Sequence, residues 1–184
     1  MGELPQRIAL VETVEDVEKL EIGNPAKLVY LTQTTLSVDD TKHVIAAINK
    51  KYPQTSDPPG EDICYATTNR QAAVKELAKY AQLILVIGSK SSSNSNRLVE
   101  TARIAGVKAY LIDDINGFDP AWLKDVSIVG LTSGASAPDY LVQELAEHFV
   151  KQGAQKEELT LLEEKVTFKL PRELLAFKTK EMHS

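Results

Sequence analysis

Short β-rich apolar runs alternate with longer amphipathic stretches along these 184 residues, and that alternation predicts an α/β fold, a parallel sheet with flanking helices. Two further observations refine the expectation. A segment with three prolines, one glycine and no apolar residue, Pro53 to Gly60, marks a linker. Polar Ser/Thr/Asn segments follow several of the apolar runs. The sequence therefore predicts a small two-strand piece over 1–52, a linker over 53–60, one complete three-layer module over 61–155 and a tail over 156–184.

The expected strands are Ile8–Val11, Leu28–Leu31, Leu83–Ile87, Ala109–Ile112 and Val126–Leu131. Val38, Thr41, Ile45, Ile48 and Tyr52 recur at helical spacing after Ser37, an N-cap type residue. Asp39 and Asp40 lie in that helix's first turn and Lys50 and Lys51 in its last, matching the helix dipole. Val74, Leu77, Ala78 and Ala81 form a second stripe, and Asn96 to Ala105 a third that Gly106 ends. Leu141, Val142, Leu145 and Phe149 form a fourth, with Pro138 in its first turn and Gly153 past its end. A lone strand pair with two helices buries little core, so 1–52 reads as incomplete. The tail carries a β-like run, Val166–Leu170, before Pro171.

Composition narrows the partners. Apolar residues make up 43% and charged residues 26%, as in ordinary globular domains. No apolar run approaches the ~18 residues that span a bilayer, and the first residues lack the pattern of a secretory signal or a myristoylation site. The net charge of −5, with no long Lys/Arg cluster, argues against nucleic acid. The single cysteine, Cys64, excludes an internal disulfide and suits a reducing cytoplasm.

The polar segments are Thr32–Ser37, Tyr65–Gln71, Gly88–Arg97 and Thr132–Asp139, each read as a loop between a strand and the next helix. In a parallel sheet such loops share the carboxyl edge, where α/β folds bind ligands, and each offers helix N–H groups to an anion. One such loop is ordinary capping. Four at one edge, with five serines in residues 89–95, suit a phosphate or diphosphate held by neutral donors. Only Lys90 and Arg97 are basic nearby. No Walker A or Gly-x-Gly-x-x-Gly pattern points to a nucleotide. Cys64 reads either as a small buried hydrophobe or as a thiolate favoured by a helix N-terminus. His43, His148 and His183 read as surface residues without metal spacing.

The stretches TQTTLSVDDT (32–41), EDICYATTNRQ (61–71), VIGSKSSSNSNRL (86–98) and GLTSGASAPDYLVQ (130–143) resemble the IspH/LytB family of 4-hydroxy-3-methylbut-2-enyl diphosphate reductases. The resemblance covers nearly the whole chain but only the C-terminal part of the family. It implies three related α/β modules around a 4Fe-4S cluster held by three cysteines, with 1–52 as the trailing half of the middle module and 61–155 as the last.

By the same resemblance Cys64 is a cluster ligand, Thr34 and Thr67 lie at the reacting end of the substrate, and Ser92, Ser93, Asn94 and Ser136 bind its diphosphate. The implied reaction is reductive removal of an allylic hydroxyl, giving isopentenyl and dimethylallyl diphosphate. Electrons would come from a ferredoxin- or flavodoxin-like donor. The family's other cysteines, its substrate-facing histidines and its proton-donating glutamate have no counterpart in this sequence. An N-terminally truncated form, inactive alone, is the expectation; a diphosphate-binding module without a cluster is the alternative.

Overall fold

A computed structural model describes residues 7–56 and 63–160. Three parallel strands, β1 (Leu83–Ile87), β2 (Lys108–Ile112) and β3 (Val129–Ser133), form a sheet in the order β2-β1-β3. The central strand reads Leu-Ile-Leu-Val-Ile because both its faces are covered, and all five residues are buried. Ile84 and Val86 pack with Val74, Leu98, Val99 and Ala102 of helices α3 (Tyr65–Leu77) and α4 (Ser93–Ile104). Leu83, Leu85 and Ile87 pack on the other face with Ile112 and Leu145 of helix α5 (Asp139–Lys151). Trp122 stacks on Tyr110 there with centroids 3.9 Å apart, and Phe118 meets Trp122 and Phe149 edge-on. The result is the three-layer α/β module expected of this region.

The strands end level. Ile87 pairs with Ile112 on one side and Ser133 on the other. One further rung on each side continues the ladder, from Gly88 N–H to Ile112 C=O at 3.0 Å and from Gly134 N–H to Ile87 C=O at 2.9 Å. The backbone at this edge is therefore fixed one residue beyond the sheet, where the Ser-rich segments begin.

Toward the N-terminus lie α1 (Val14–Lys19), a short 3-10 turn at Pro25–Lys27 and α2 (Val38–Lys51). Ser37 caps α2 as expected, its hydroxyl accepting from Asp40 N–H. Lys51 Nζ donates to the carbonyls of Val17, Glu18 and Leu20, and Tyr52 Oη donates to Leu20 as well. A cation thus closes the negative end of α1. Val17, Ile48 and Tyr52 form the small buried centre of this piece.

The expected strands Ile8–Val11 and Leu28–Leu31 do not form. Only an isolated bridge, Val29 with Ser56, is present, and Leu10 and Leu31 are 77% and 80% exposed. Strand-type sequence needs a neighbouring strand to satisfy its backbone, and none stands beside these runs among the described residues. β3 starts three residues later than Val126, because the chain is still turning there: Asp125 has φ 63°, and Gln82 Oε1 accepts from Ser127 and Ile128 N–H. Tyr65–Gln71 is not a loop but the first turns of α3. Cys64 C=O accepts from Thr67 and Thr68 N–H, and Thr67, Gln71 and Val74 make a buried helical stripe that their polarity disguised. Pro138 is the N-cap of α5 rather than part of its first turn, while Gly106 and Gly153, at φ 84° and 97°, end α4 and α5 as anticipated. His148 is not simply a surface residue, since its ring packs edge-on against Phe118 and Phe149. The run Val166–Leu170, His183 and the second half of the 53–60 linker lie outside the described residues.

The N-terminal piece is docked on the module by polar contacts. Gln71, 2% exposed, donates to Leu36 C=O at 2.9 Å and accepts from Val38 N–H at 3.1 Å. Lys75 pairs with Asp39, its ammonium holding that carboxyl below the usual carboxylate range, and Arg97 lies 3.9 Å from Asp40.

Leu145→Ala should lower stability by about 2–5 kcal/mol, because the fully buried side chain anchors α5 and leaves a cavity. A urea or thermal unfolding curve indistinguishable from the parent's would contradict this account of the second core face. Gln71→Leu should leave Leu36 C=O and Val38 N–H without partners at about 1–3 kcal/mol each. Hydrogen exchange should then quicken at the start of α2 while β1 keeps its protection.

Candidate functional site

Three helix N-termini, those of α3, α4 and α5, meet the carboxyl edge of the sheet, and α2 starts along the flank of α3. α4 follows β1 directly and α5 follows β3, so both start there. α3 runs into β1 from the opposite direction, which returns its N-terminus to the same edge; Arg70 Nη1 reaches Ser133 Oγ, at the end of β3, at 3.5 Å. α2 begins beside α3 through the Gln71 bridge. α4 and α5 flank opposite faces of the sheet, and their preceding loops meet over its rim.

Ser92, the N-cap of α4, is half-buried, and its hydroxyl accepts from Ser95 N–H at 3.3 Å and Ser95 Oγ at 3.0 Å. Ser93 is exposed in the first turn. Asn94 beside it is 7% exposed, and its Oδ1 and Nδ2 are both buried without a hydrogen-bond partner. Leaving such an amide unpaired costs about 1–3 kcal/mol. A buried amide with both polar atoms unpaired departs from the usual pairing of buried polar groups. The β3–α5 loop passes alongside, since a Cβ on Gly134 would lie 3.8 Å from Asn94 Nδ2. Ser136 follows in the turn closed by Ala137 N–H on Gly134 C=O, exposed and two residues from that approach.

Thr34 and Cys64 form a second group. Cys64 N–H donates to Thr34 C=O at 3.2 Å, joining the loop before α2 to the start of α3. Cys64 is exposed at the N-cap of α3. That position decides against the small buried hydrophobe. Thr67, one turn on, is 3% exposed, and its N–H donates to Cys64 C=O at 2.8 Å.

Of the nearby cations, Arg97 is paired with carboxylates while Arg70 reaches the end of β3. Arg97 bonds Glu100 at 2.6 Å and approaches Asp40, and Lys90 is exposed. Hydroxyls, an amide, backbone N–H groups and the Arg70 guanidinium are what the rim presents, a donor set that suits an oxyanion. It does not suit a cluster held by this chain alone. Cys64 is the one thiol, and no three His, Cys, Asp or Glu stand together among the described residues, whereas a four-iron cluster takes several protein ligands.

Sequence reading passed over Gln71, Arg70, Ser95 and the two glycines that Ser95 approaches. Gln71 and Arg70 were hidden by taking 65–71 for a loop. A Ser at the third helical position after a capping Ser was the available signal for Ser95.

Comparison with known proteins places this geometry in a family. A family model described as LytB protein matches residues 1–150. A 4-hydroxy-3-methylbut-2-enyl diphosphate reductase from Streptomyces avermitilis is 50% identical over 175 residues, 94% of this chain and 52% of that protein. One of the same name from Actinobacillus succinogenes is 52% identical over 178 residues, 95% of this chain and 57% of the other. The chain thus spans about half the length of the curated relatives it matches. The solved structure of the E-1-hydroxy-2-methyl-but-2-enyl-4-diphosphate reductase from Plasmodium falciparum superposes with a TM-score of 0.85 at 34% identity, over 97% of this chain and 57% of that one. Its fold shared with that reductase and its sequence shared with those relatives, this chain belongs to the LytB family.

Proposed function

We propose that this chain supplies the diphosphate-binding part of a 4-hydroxy-3-methylbut-2-enyl diphosphate reductase, an oxidoreductase of isoprenoid synthesis, and works with residues from outside itself. The observation that carries the reading is Asn94. A buried amide with both polar atoms unpaired, set at a helix N-terminus and beside a glycine, is what a multiply charged oxyanion would satisfy.

In this reading Ser92, Ser93, Asn94 and Ser136 donate to the diphosphate and fix how far the allylic end reaches along the edge. Orientation of that kind lowers the barrier by converting a random encounter into a held geometry. Thr34 and Thr67 flank Cys64 and stand where the other end of the substrate would lie. Cys64 contributes one thiolate, so the remaining ligands of a 4Fe-4S cluster come from outside this chain. Electrons come from a ferredoxin- or flavodoxin-like donor, in the cytoplasm, where a lone free thiol is at home.

A second reading, a diphosphate-binding module with no cluster, is favoured by one observation, the single cysteine. Iron binding separates the two. After anaerobic reconstitution the 184-residue chain should hold far fewer than the four irons of one cluster. Adding the missing half of a relative should bring iron and the brown absorbance together. Iron uptake that ignores the added half would favour the module.

Asn94→Ala should show opposite effects on stability and binding. Removing an unpaired buried amide should leave the melting temperature of the ligand-free chain unchanged or higher, while affinity for inorganic diphosphate falls about tenfold. Ser136→Ala should also weaken binding, and Ser91→Ala, whose hydroxyl bonds Ser89, should not. Calorimetric titration decides it: equal diphosphate affinity in parent and Asn94→Ala would overturn the assignment.

A further inference from the structure

Ser95 is 1% exposed and carries no charge, yet three features single it out. Its N–H and its Oγ both donate to Ser92 Oγ, at 3.3 and 3.0 Å. The other Ser and Thr caps among the described residues behave differently. Thr13 accepts from Asp16 N–H and Ser37 from Asp40 N–H, and in each case the third helical residue is an aspartate, with no hydroxyl to donate. The Ser95 side chain also fills a slot walled by glycine on both sides. A Cβ on Gly88 would lie 2.2 Å from Ser95 Oγ, and one on Gly134 would lie 2.1 Å from it, distances no real Cβ shows. Finally, the slot adjoins Asn94, whose buried amide has no partner.

A serine hydroxyl has one hydrogen to give and two lone-pair positions to fill. With both positions of Ser92 Oγ occupied by donors from Ser95, its own hydrogen is left to be donated to a third group. We propose that Ser95 is a positioning residue for anion binding: it converts Ser92 from a capping acceptor into a dedicated donor for the diphosphate. The proposal rests on the diphosphate reading and assigns the role to a residue that does not itself touch the ligand. It also explains the glycines. Residues 88 and 134 are held in the sheet ladder by their own N–H groups, so neither backbone can retreat from a side chain at either place. Only glycine leaves room for the Ser95 hydroxyl.

The test is a double-mutant cycle read by calorimetric titration of the 184-residue chain with inorganic diphosphate. Ser95→Ala should weaken binding roughly threefold to tenfold, the worth of one ordinary hydrogen bond. Ser92→Ala should do at least as much, and the double variant should bind like Ser92→Ala alone, because Ser95 acts through Ser92. Losses that multiply in the double variant would make Ser95 merely structural and overturn the proposal, as would normal affinity in Ser95→Ala. If Ser95→Ala does not fold, Ser95→Gly removes the same donor without adding an atom to the slot, and the same loss is expected; unchanged affinity there would overturn it. A parent chain that binds no diphosphate overturns the functional reading and this proposal with it. A parent that binds, with Ser95 variants that bind equally, overturns this proposal alone.

Discussion

The hydrogen bonds that extend the ladder past its last paired residues, Gly88 to Ile112 and Gly134 to Ile87, fix everything the rim can do. A backbone free to move at this edge would let the Ser-rich segments wander, and their hydroxyls would point nowhere in particular. These bonds are held in turn by β1, whose five residues are sealed between helices on both faces, so the edge inherits the rigidity of the best-packed strand. The polar segments are thus short departures from a fixed base. Gly134 comes within reach of Ser95 and Asn94 because its register leaves it no alternative.

The attachment of residues 7–56 follows another physics. No buried apolar residue of that piece joins either core cluster of the module. Polar links among the described residues include a buried glutamine, two surface ion pairs and the hydrogen bond from Cys64 to Thr34. Surface pairs of this kind contribute little each, whereas the buried Gln71 satisfies two backbone groups of the loop before α2. Cys64 and Thr34 are joined directly by the Cys64 N–H on Thr34 C=O, and Gln71 fastens the same loop two residues on.

How much of this the sequence disclosed depended on whether a residue's neighbours were local. β1 and α2 were legible because an apolar run and a Ser-cap with graded charge are decided within a few residues. The strands at 8–11 and 28–31 were misread because strand propensity speaks of a pleated surface, and only a partner strand can provide one. The stripe of α3 was invisible because Thr67 and Gln71 are buried for reasons that lie in other segments. At the rim, the polar types and their gathering at one edge were readable from composition. The unpaired amide of Asn94 and the glycine-walled slot of Ser95 were not, since both depend on how the β3–α5 loop meets the start of α4.

The commitment of Arg97 to Glu100 and Asp40 has a consequence for how the rim responds to its medium. A phosphate site built on lysine and arginine exchanges counterions when it binds, and its affinity falls steeply as salt is added. A rim of hydroxyls, one amide, helix N–H dipoles and the single guanidinium of Arg70 has fewer counterions to release. Its grip depends on the spacing of donors more than on the potential around them. On the diphosphate reading, affinity at such a rim falls less steeply with added salt than at a site built on lysine and arginine.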